Sequence, residues 1–104
     1  MPTELNALRE VFAAQAYIFT EHASDRALER EIASHEIEEC ILSGEIIEDY
    51  PADKYGPSCL IRGQTKTGRV LHVQTSSPPG LKIITVYEPS PDEWEDGFRK
   101  RKSE

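Results

Sequence analysis

The 104 residues of this chain suffice for one domain with a single hydrophobic core, and 38% apolar with 30% charged residues is typical of a globular protein. The formal charge of −7 argues against a general nucleic-acid binder, because phosphate contacts need a basic surface. No apolar run is long enough for a membrane span, and the start MPTELNALRE carries acids where a signal peptide has a basic flank. We therefore expect a cytoplasmic protein without membrane contact.

The charge is distributed unevenly along the chain. Residues 1–55 carry a net charge of −9, residues 56–87 carry +4 without a single acid, and residues 88–104 carry −2. This distribution predicts a locally positive surface on an acidic body.

The first third of the chain predicts helices separated by one short strand. Residues 3–16 repeat apolar side chains at helical spacing, and residues 17–22 form a β-branched and aromatic run typical of a strand. Ser24 is the expected N-cap of the next helix, and Ser34 that of a helix over HEIEECILS, which Gly44 ends.

From residue 45 the apolar pattern changes from helical to alternating. Strands are predicted at 45–50, 59–65, 69–75 and 82–88, and the short links between them favour antiparallel hairpins. Ser90 and Pro91 then predict the start of a C-terminal helix that docks through Trp94 and Phe98. The predicted fold is α+β: N-terminal helices packed on a mainly antiparallel four- to five-stranded sheet, with a C-terminal helix, in a single domain over 1–104.

His72 and Tyr87 are the candidate catalytic pair. Alternation places His72 on the opposite face from Leu71 and Val73, and a hairpin brings Tyr87 of the next strand to the same neighbourhood. Arg62 can project there too. A histidine titrating near neutrality suits general acid–base chemistry, although a sheet histidine packed beside a tyrosine is an equally good interpretation.

The stretch HASDRALER places His22, Arg26 and Arg30 four residues apart, which is one face of a helix. This face can hold a phosphate, or it can pair with the local carboxylates, although exposed pairs contribute only about 0–1 kcal/mol. We expect the trio to face the sheet edge near His72.

Other chemistries find no support in the sequence. Cys40 and Cys59 stand 19 residues apart without further ligands at metal spacing, so we expect two reduced thiols and no metal. The chain contains no GxGxxG, P-loop, GxSxG or HExxH, and we expect no cofactor.

Four blocks of the sequence resemble a family of small prokaryotic domains of unknown function, often encoded beside zinc-finger antitoxins. These blocks are HxxxRxxxR at 22–30, HEIEECILSGEIIEDYP at 35–51, CLIRGQTKTGRVLHV at 59–73 and IITVYEPSPDEWEDGFRKR at 83–101. The resemblance covers the core at 17–104 and leaves the N-terminal helix at 1–16 outside it. That family looks related to the RelE/BrnT toxins, which are metal-independent ribonucleases. The resemblance thus implies their fold, RNA as a possible substrate and a cognate zinc-finger antitoxin as a possible partner. The chain departs from those toxins in being acidic and in lacking their dense set of lysines and arginines.

Two functions follow as hypotheses. The first is a metal-independent endoribonuclease toxin, with His72 as base or acid, Tyr87 as its proton partner, and His22, Arg26, Arg30 and Arg62 as phosphate-binding residues. The second is a non-catalytic protein-interaction module of the same fold. A small-ligand binder has only the arginines in its favour.

Overall fold

A five-stranded sheet forms the centre of the protein, and the computed structural model describes residues 9–10, 17–52, 56–76 and 82–102. Its strands are β1 (Ile18–Phe19), β2 (Glu45–Tyr50), β3 (Ser58–Gln64), β4 (Val70–Ser76) and β5 (Lys82–Tyr87). They lie in the order β1-β5-β4-β3-β2; β1 is parallel to β5, and the other neighbours are antiparallel. The four strands predicted from the alternating pattern are therefore confirmed to within one residue at each end.

Two helices, α1 (Glu21–Glu29) and α2 (Ser34–Ser43), occupy the first half of the described chain, and both begin earlier than expected. Thr20, not Ser24, caps α1: its hydroxyl accepts from the Ala23 N–H at 3.1 Å. The predicted strand at 17–22 is shortened for the same reason, because the Thr20 N–H makes the last bond to β5 and the helix starts immediately afterwards. Ala33 is the N-cap of α2, where the Glu36 carboxylate accepts from the Ala33 N–H at 2.9 Å.

The core lies between these helices and one face of the sheet. Alternation along the strands directs the apolar side chains to this face, while α2 contributes a stripe at helical spacing. Fully buried members include Ile37, Cys40, Ile41, Ile61, Leu71, Val73, Ile83 and Val86.

Gly63 allows α2 to pack closely on β3. A Cβ atom at Gly63 would lie 2.0 Å from the carbonyl oxygen of Cys40, and one at Gly44 would lie 2.5 Å from the same oxygen. Only glycine leaves room for the helix backbone at this distance.

The predicted C-terminal helix is replaced by a hairpin of β6 (Trp94–Glu95) and β7 (Lys100–Arg101). The helix-start signals produce one turn, in which the Trp94 N–H bonds to the Ser90 carbonyl at 3.1 Å. Asp96 and Gly97 then form a reverse turn, for which this residue pair is well suited. Trp94 does dock as expected and is 5% exposed, but it does so from a strand.

The expected N-terminal helix at 3–16 lies outside the described residues except for Arg9 and Glu10, which are helical. The Arg9 guanidinium donates to the carbonyl of Gly44 at 2.9 Å and to that of Ile41 at 3.3 Å, at the end of α2. No helix within the described ranges has the length and apolar character to cross a membrane.

Candidate active site

The sheet face opposite the helices carries three aligned polar side chains. Arg62 on β3 pairs in register with His72 on β4, and His72 pairs with Tyr87 on β5. Register partners in a sheet project to the same side. The predicted placement of His72 and Tyr87 on one face of adjacent antiparallel strands is confirmed, and Arg62 joins them in the row.

Both ring nitrogens of His72 have partners. Nε2 lies 2.7 Å from the carbonyl oxygen of Phe98, and Nδ1 lies 3.1 Å from the Tyr87 hydroxyl. A carbonyl only accepts, so Nε2 carries the proton, and neutral Nδ1 accepts from the tyrosine hydroxyl. This tautomer is assigned from the hydrogen-bond network.

Burial determines the charge of this pair. His72 is 0% exposed, and its burial lowers the pKa of the imidazole below its ordinary value. Burial likewise raises the pKa of the half-buried Tyr87 hydroxyl. At neutral pH both groups are uncharged, and the histidine is reached from solvent only through its partners.

The C-terminal hairpin covers this row and is held to it by polar contacts and aromatic packing. Arg62 Nε donates to the Gly97 carbonyl at 2.9 Å, Arg99 pairs with Glu45, and Arg101 pairs with Glu48 at 2.9 Å. The Trp94 and His72 rings meet edge to face with their centroids 4.4 Å apart, and the Arg101 guanidinium lies over the Trp94 ring at 4.7 Å from its centroid.

A cleft of about 580 Å³ opens beside Tyr87. The Arg30 guanidinium is fixed at its wall, with one N–H donating to the Val86 carbonyl at 2.8 Å. The lining combines a phenol, an indole, a hydroxyl, two cations and two carboxylates, contributed by Arg30, Tyr87, Glu88, Ser90, Glu93, Trp94 and Arg101.

His22, Arg26 and Arg30 of the stretch HASDRALER do not come together at one site. Ala23 and Ala27 form the buried stripe of α1, and each residue of a helix is turned about 100° from its neighbour, so His22 and Arg26 lie beside that stripe. His22 is exposed, and Arg26 pairs with Glu29 at 2.7 Å. Arg30, at the C-cap, is the member of the trio that reaches the cleft.

The expected positive surface is partly cancelled by carboxylates. Arg69 donates to Glu88 at 2.7 Å and to Glu36 at 3.2 Å, and these ion pairs raise the pKa of its guanidinium against the effect of burial. The same side chain also donates to the carbonyls of Arg30 and Glu31, each at 3.0 Å. Arg69 therefore fastens the end of α1 to α2 and β5.

Sequence reasoning missed Arg101 and the Phe98 carbonyl. One signal was available: in RKRK the two arginines stand two residues apart, which is strand spacing, and both meet acids of β2. The Phe98 carbonyl could not be predicted, because every residue has a backbone carbonyl and only the fold brings this one to His72.

The arrangement supports proton transfer more readily than metal or thiol chemistry. The Tyr87 hydroxyl can accept a proton from a bound molecule while passing its own to His72 Nδ1. Within the described ranges no three His, Cys, Asp or Glu side chains are grouped to hold a metal. Cys40 and Cys59 are both buried away from the cleft, and burial raises the pKa of the Cys40 thiol to about 12.

Comparison with known proteins places the chain in a family. The family model of a domain of unknown function, DUF4258, matches residues 19–88, so the chain belongs to this family. The matched segment contains both helices, β2–β5 and the His72–Tyr87 pair, and it ends before the hairpin. No curated protein and no solved structure shows significant similarity to the chain.

Proposed function

We propose that the protein is a metal-independent endoribonuclease of the toxin–antitoxin type, with the cleft beside Tyr87 as its active site. The observation that carries the proposal is the Tyr87 hydroxyl at the cleft, bonded to a buried neutral imidazole and accompanied by Arg30 and Arg101. The sequence resembles a family that looks related to the RelE/BrnT toxins, and this relationship supplies the reaction class and the absence of a metal requirement.

In such a reaction the 2′-hydroxyl of RNA attacks the adjacent phosphorus, forming a cyclic phosphate as the bond to the 5′-oxygen breaks. Tyr87 Oη takes the 2′-hydroxyl proton as its own proton moves 3.1 Å to His72 Nδ1. The resulting imidazolium keeps its second N–H on the Phe98 carbonyl, and it returns the proton to solvent after cleavage. The leaving 5′-oxygen takes a proton from water in the cleft.

The cations at the cleft stabilise the charge that develops on the phosphate. Arg30 uses one N–H on the Val86 carbonyl, which fixes the guanidinium and leaves other donors for a phosphate oxygen. Arg101 is held in place by Glu48 and Trp94. In this assignment His22, Arg26 and Arg62 lose the phosphate-binding role expected of them, because they do not line the cleft.

A second candidate, a non-catalytic interaction module, is favoured by two observations. His72 exposes no atom, so a purely structural histidine would look the same. Glu88 and Glu93 also place negative charge at the cleft, which disfavours RNA and suits a protein partner with basic side chains.

The test compares two tyrosines that each lose a bonded hydroxyl. Tyr87→Phe keeps the ring and removes the proposed proton acceptor; we expect RNA cleavage by the purified chain to fall by about 100-fold or more. Tyr17→Phe removes a hydroxyl bonded to Glu38 at 2.8 Å, away from the cleft, and cleavage should be unchanged.

Two results oppose the proposal. Equal cleavage by the wild type and by Tyr87→Phe would remove Tyr87 from the chemistry. A folded wild-type protein that neither cleaves RNA nor arrests growth when it is expressed would favour the interaction module instead.

A further inference from the structure

The hairpin turn contains three successive residues in the left-handed region. The φ angles are 54° at Asp96, 66° at Gly97 and 67° at Phe98. Glycine adopts this conformation freely, but aspartate does so less readily and a bulky phenylalanine is a conformational outlier there. A turn of this kind persists only where its surroundings hold it.

Two polar side chains of the sheet, Arg62 and His72, stabilise the turn. Arg62 Nε donates to the Gly97 carbonyl at 2.9 Å, and His72 Nε2 donates to the very next carbonyl, that of Phe98, at 2.7 Å. The segment that follows the turn is tied to β2 by two ion pairs, that of Arg99 with Glu45 and that of Arg101 in β7 with Glu48. The strained turn thus presents two consecutive carbonyl oxygens to two adjacent strands of the sheet.

We propose that this turn is a positioning element, anchored by Arg62, that fixes His72 in the Nε2–H tautomer and thereby sets the direction of the Tyr87 hydroxyl. The consequence for catalysis rests on the function proposed above. Arg62 acts through the Gly97 carbonyl and not on the substrate, so it is a positioning residue.

The direction of the hydroxyl depends on the Phe98 carbonyl. With that acceptor in place, Nε2 must carry the proton, Nδ1 has a free lone pair, and Tyr87 donates to it. Without it, the ring can also protonate at Nδ1, which then donates to the tyrosine oxygen. The hydroxyl proton would then point elsewhere, and the oxygen could no longer pass a proton to the ring.

Nitrogen and proton NMR of the histidine ring in the full chain tests this directly. We expect wild-type His72 to show a single Nε2–H tautomer. Arg62→Met keeps the aliphatic length and removes the donor; His72 should then show both tautomers, and kcat for RNA should fall about tenfold to a hundredfold with little change in KM. Arg26→Met, which removes a partly exposed arginine that forms an ion pair with Glu29 of its own helix, is the matched control and should change neither.

Gly97→Ala tests the same turn if Arg62→Met fails to fold, since a side chain at φ 66° strains the backbone of the turn, and the end of the Arg99 side chain must also move aside for the added Cβ. We expect the same mixture of tautomers, to a smaller extent. A wild-type ring protonated at Nδ1, or a single Nε2–H tautomer in the folded variants, would overturn the inference. Altered tautomers together with a wild type inactive on RNA would uphold the positioning role and count against the proposed function alone.

Discussion

Replacing Arg69 with methionine should destabilise the protein far more than expected for a partly exposed residue next to a turn. Methionine keeps the apolar stem, so the change removes mainly the guanidinium and its bonds to two carboxylates and two carbonyls. The Glu36 side chain is only 16% exposed and would keep its charge next to the core. The backbone N–H of Ala33 remains as its partner.

The expected loss is about 2–4 kcal/mol of unfolding free energy. Bonds to charged groups contribute about 1.5–3 kcal/mol each when buried, and removal of one partner of a fully buried pair costs about 3–5 kcal/mol. Arg69 is 22% exposed, which discounts those figures, and Glu88, at 55% exposed, adds less than about 1 kcal/mol.

Urea denaturation followed by circular dichroism measures this loss, with Arg26→Met as the control. Arg26 and Glu29 form a pair within one helix, with side chains 37% and 60% exposed, and its removal should cost at most about 0.5 kcal/mol. If the two substitutions have the same effect, or if Arg69→Met costs less than about 1 kcal/mol, then Arg69 is an ordinary surface charge. Its bonds to the carbonyls at the end of α1 would then contribute little to holding this helix against the sheet.

Three further measurements test other parts of the structure. Gly63→Ala, whose Cβ would lie 2.0 Å from the Cys40 carbonyl, should cost about 1–3 kcal/mol or more. Gly68→Asn, at φ 91° in open space, meets backbone strain but no clash and should cost less, so equal effects would argue against the close packing of α2. Because the pKa of His72 is lowered in the folded protein, the unfolded chain binds a proton first as the pH falls below about 6.5, and stability should be lost there by at most about 1.4 kcal/mol per pH unit. His72→Gln should flatten this dependence, and an unchanged slope would assign it to other groups. Cys40 and Cys59, both 0% exposed, should react with a thiol reagent only as the protein unfolds, so fast labelling of the native protein would contradict their burial.

The strands were predictable because their pattern is short-range. Alternation alone places Leu71 and Val73 towards the helices and His72 away from them, and short antiparallel links then bring Tyr87 beside His72. Arg62 lies in the same row because it is the register partner of His72 on β3, just as Tyr87 is on β5.

The helix ends and the C-terminal segment were less predictable because competing contacts decide them. Thr20 and Ser24 are both favourable N-cap residues. The helix begins after Thr20 because the Thr20 N–H also makes the last hydrogen bond between β1 and β5. Ser90 and Pro91 favour a helix locally, but burial of Trp94 and the ion pairs of Arg99 and Arg101 with β2 stabilise a hairpin. These partners lie about 50 residues away in the sequence, beyond the reach of local propensity.

The arginines of this acidic chain mainly form hydrogen bonds and ion pairs within the protein. Each of the seven donates a hydrogen bond within the protein: Arg9, Arg30 and Arg62 to backbone carbonyls, Arg26 and Arg101 to carboxylates, and Arg69 and Arg99 to both. A phosphate at the cleft must therefore compete with existing partners at Arg101, whereas Arg30 gives a single N–H to the described part of the chain, at the Val86 carbonyl. If RNA is the substrate, Arg30→Gln should weaken its binding more than Arg101→Gln does, because Arg101 already gives two of its donors to Glu48 and has fewer to offer a phosphate. The comparison is corrected for stability, since Arg101→Gln also leaves Glu48 without its ion pair. Similar losses of affinity for both variants, measured by RNA titration at one fixed salt concentration, would show that Glu48 does not compete with the phosphate.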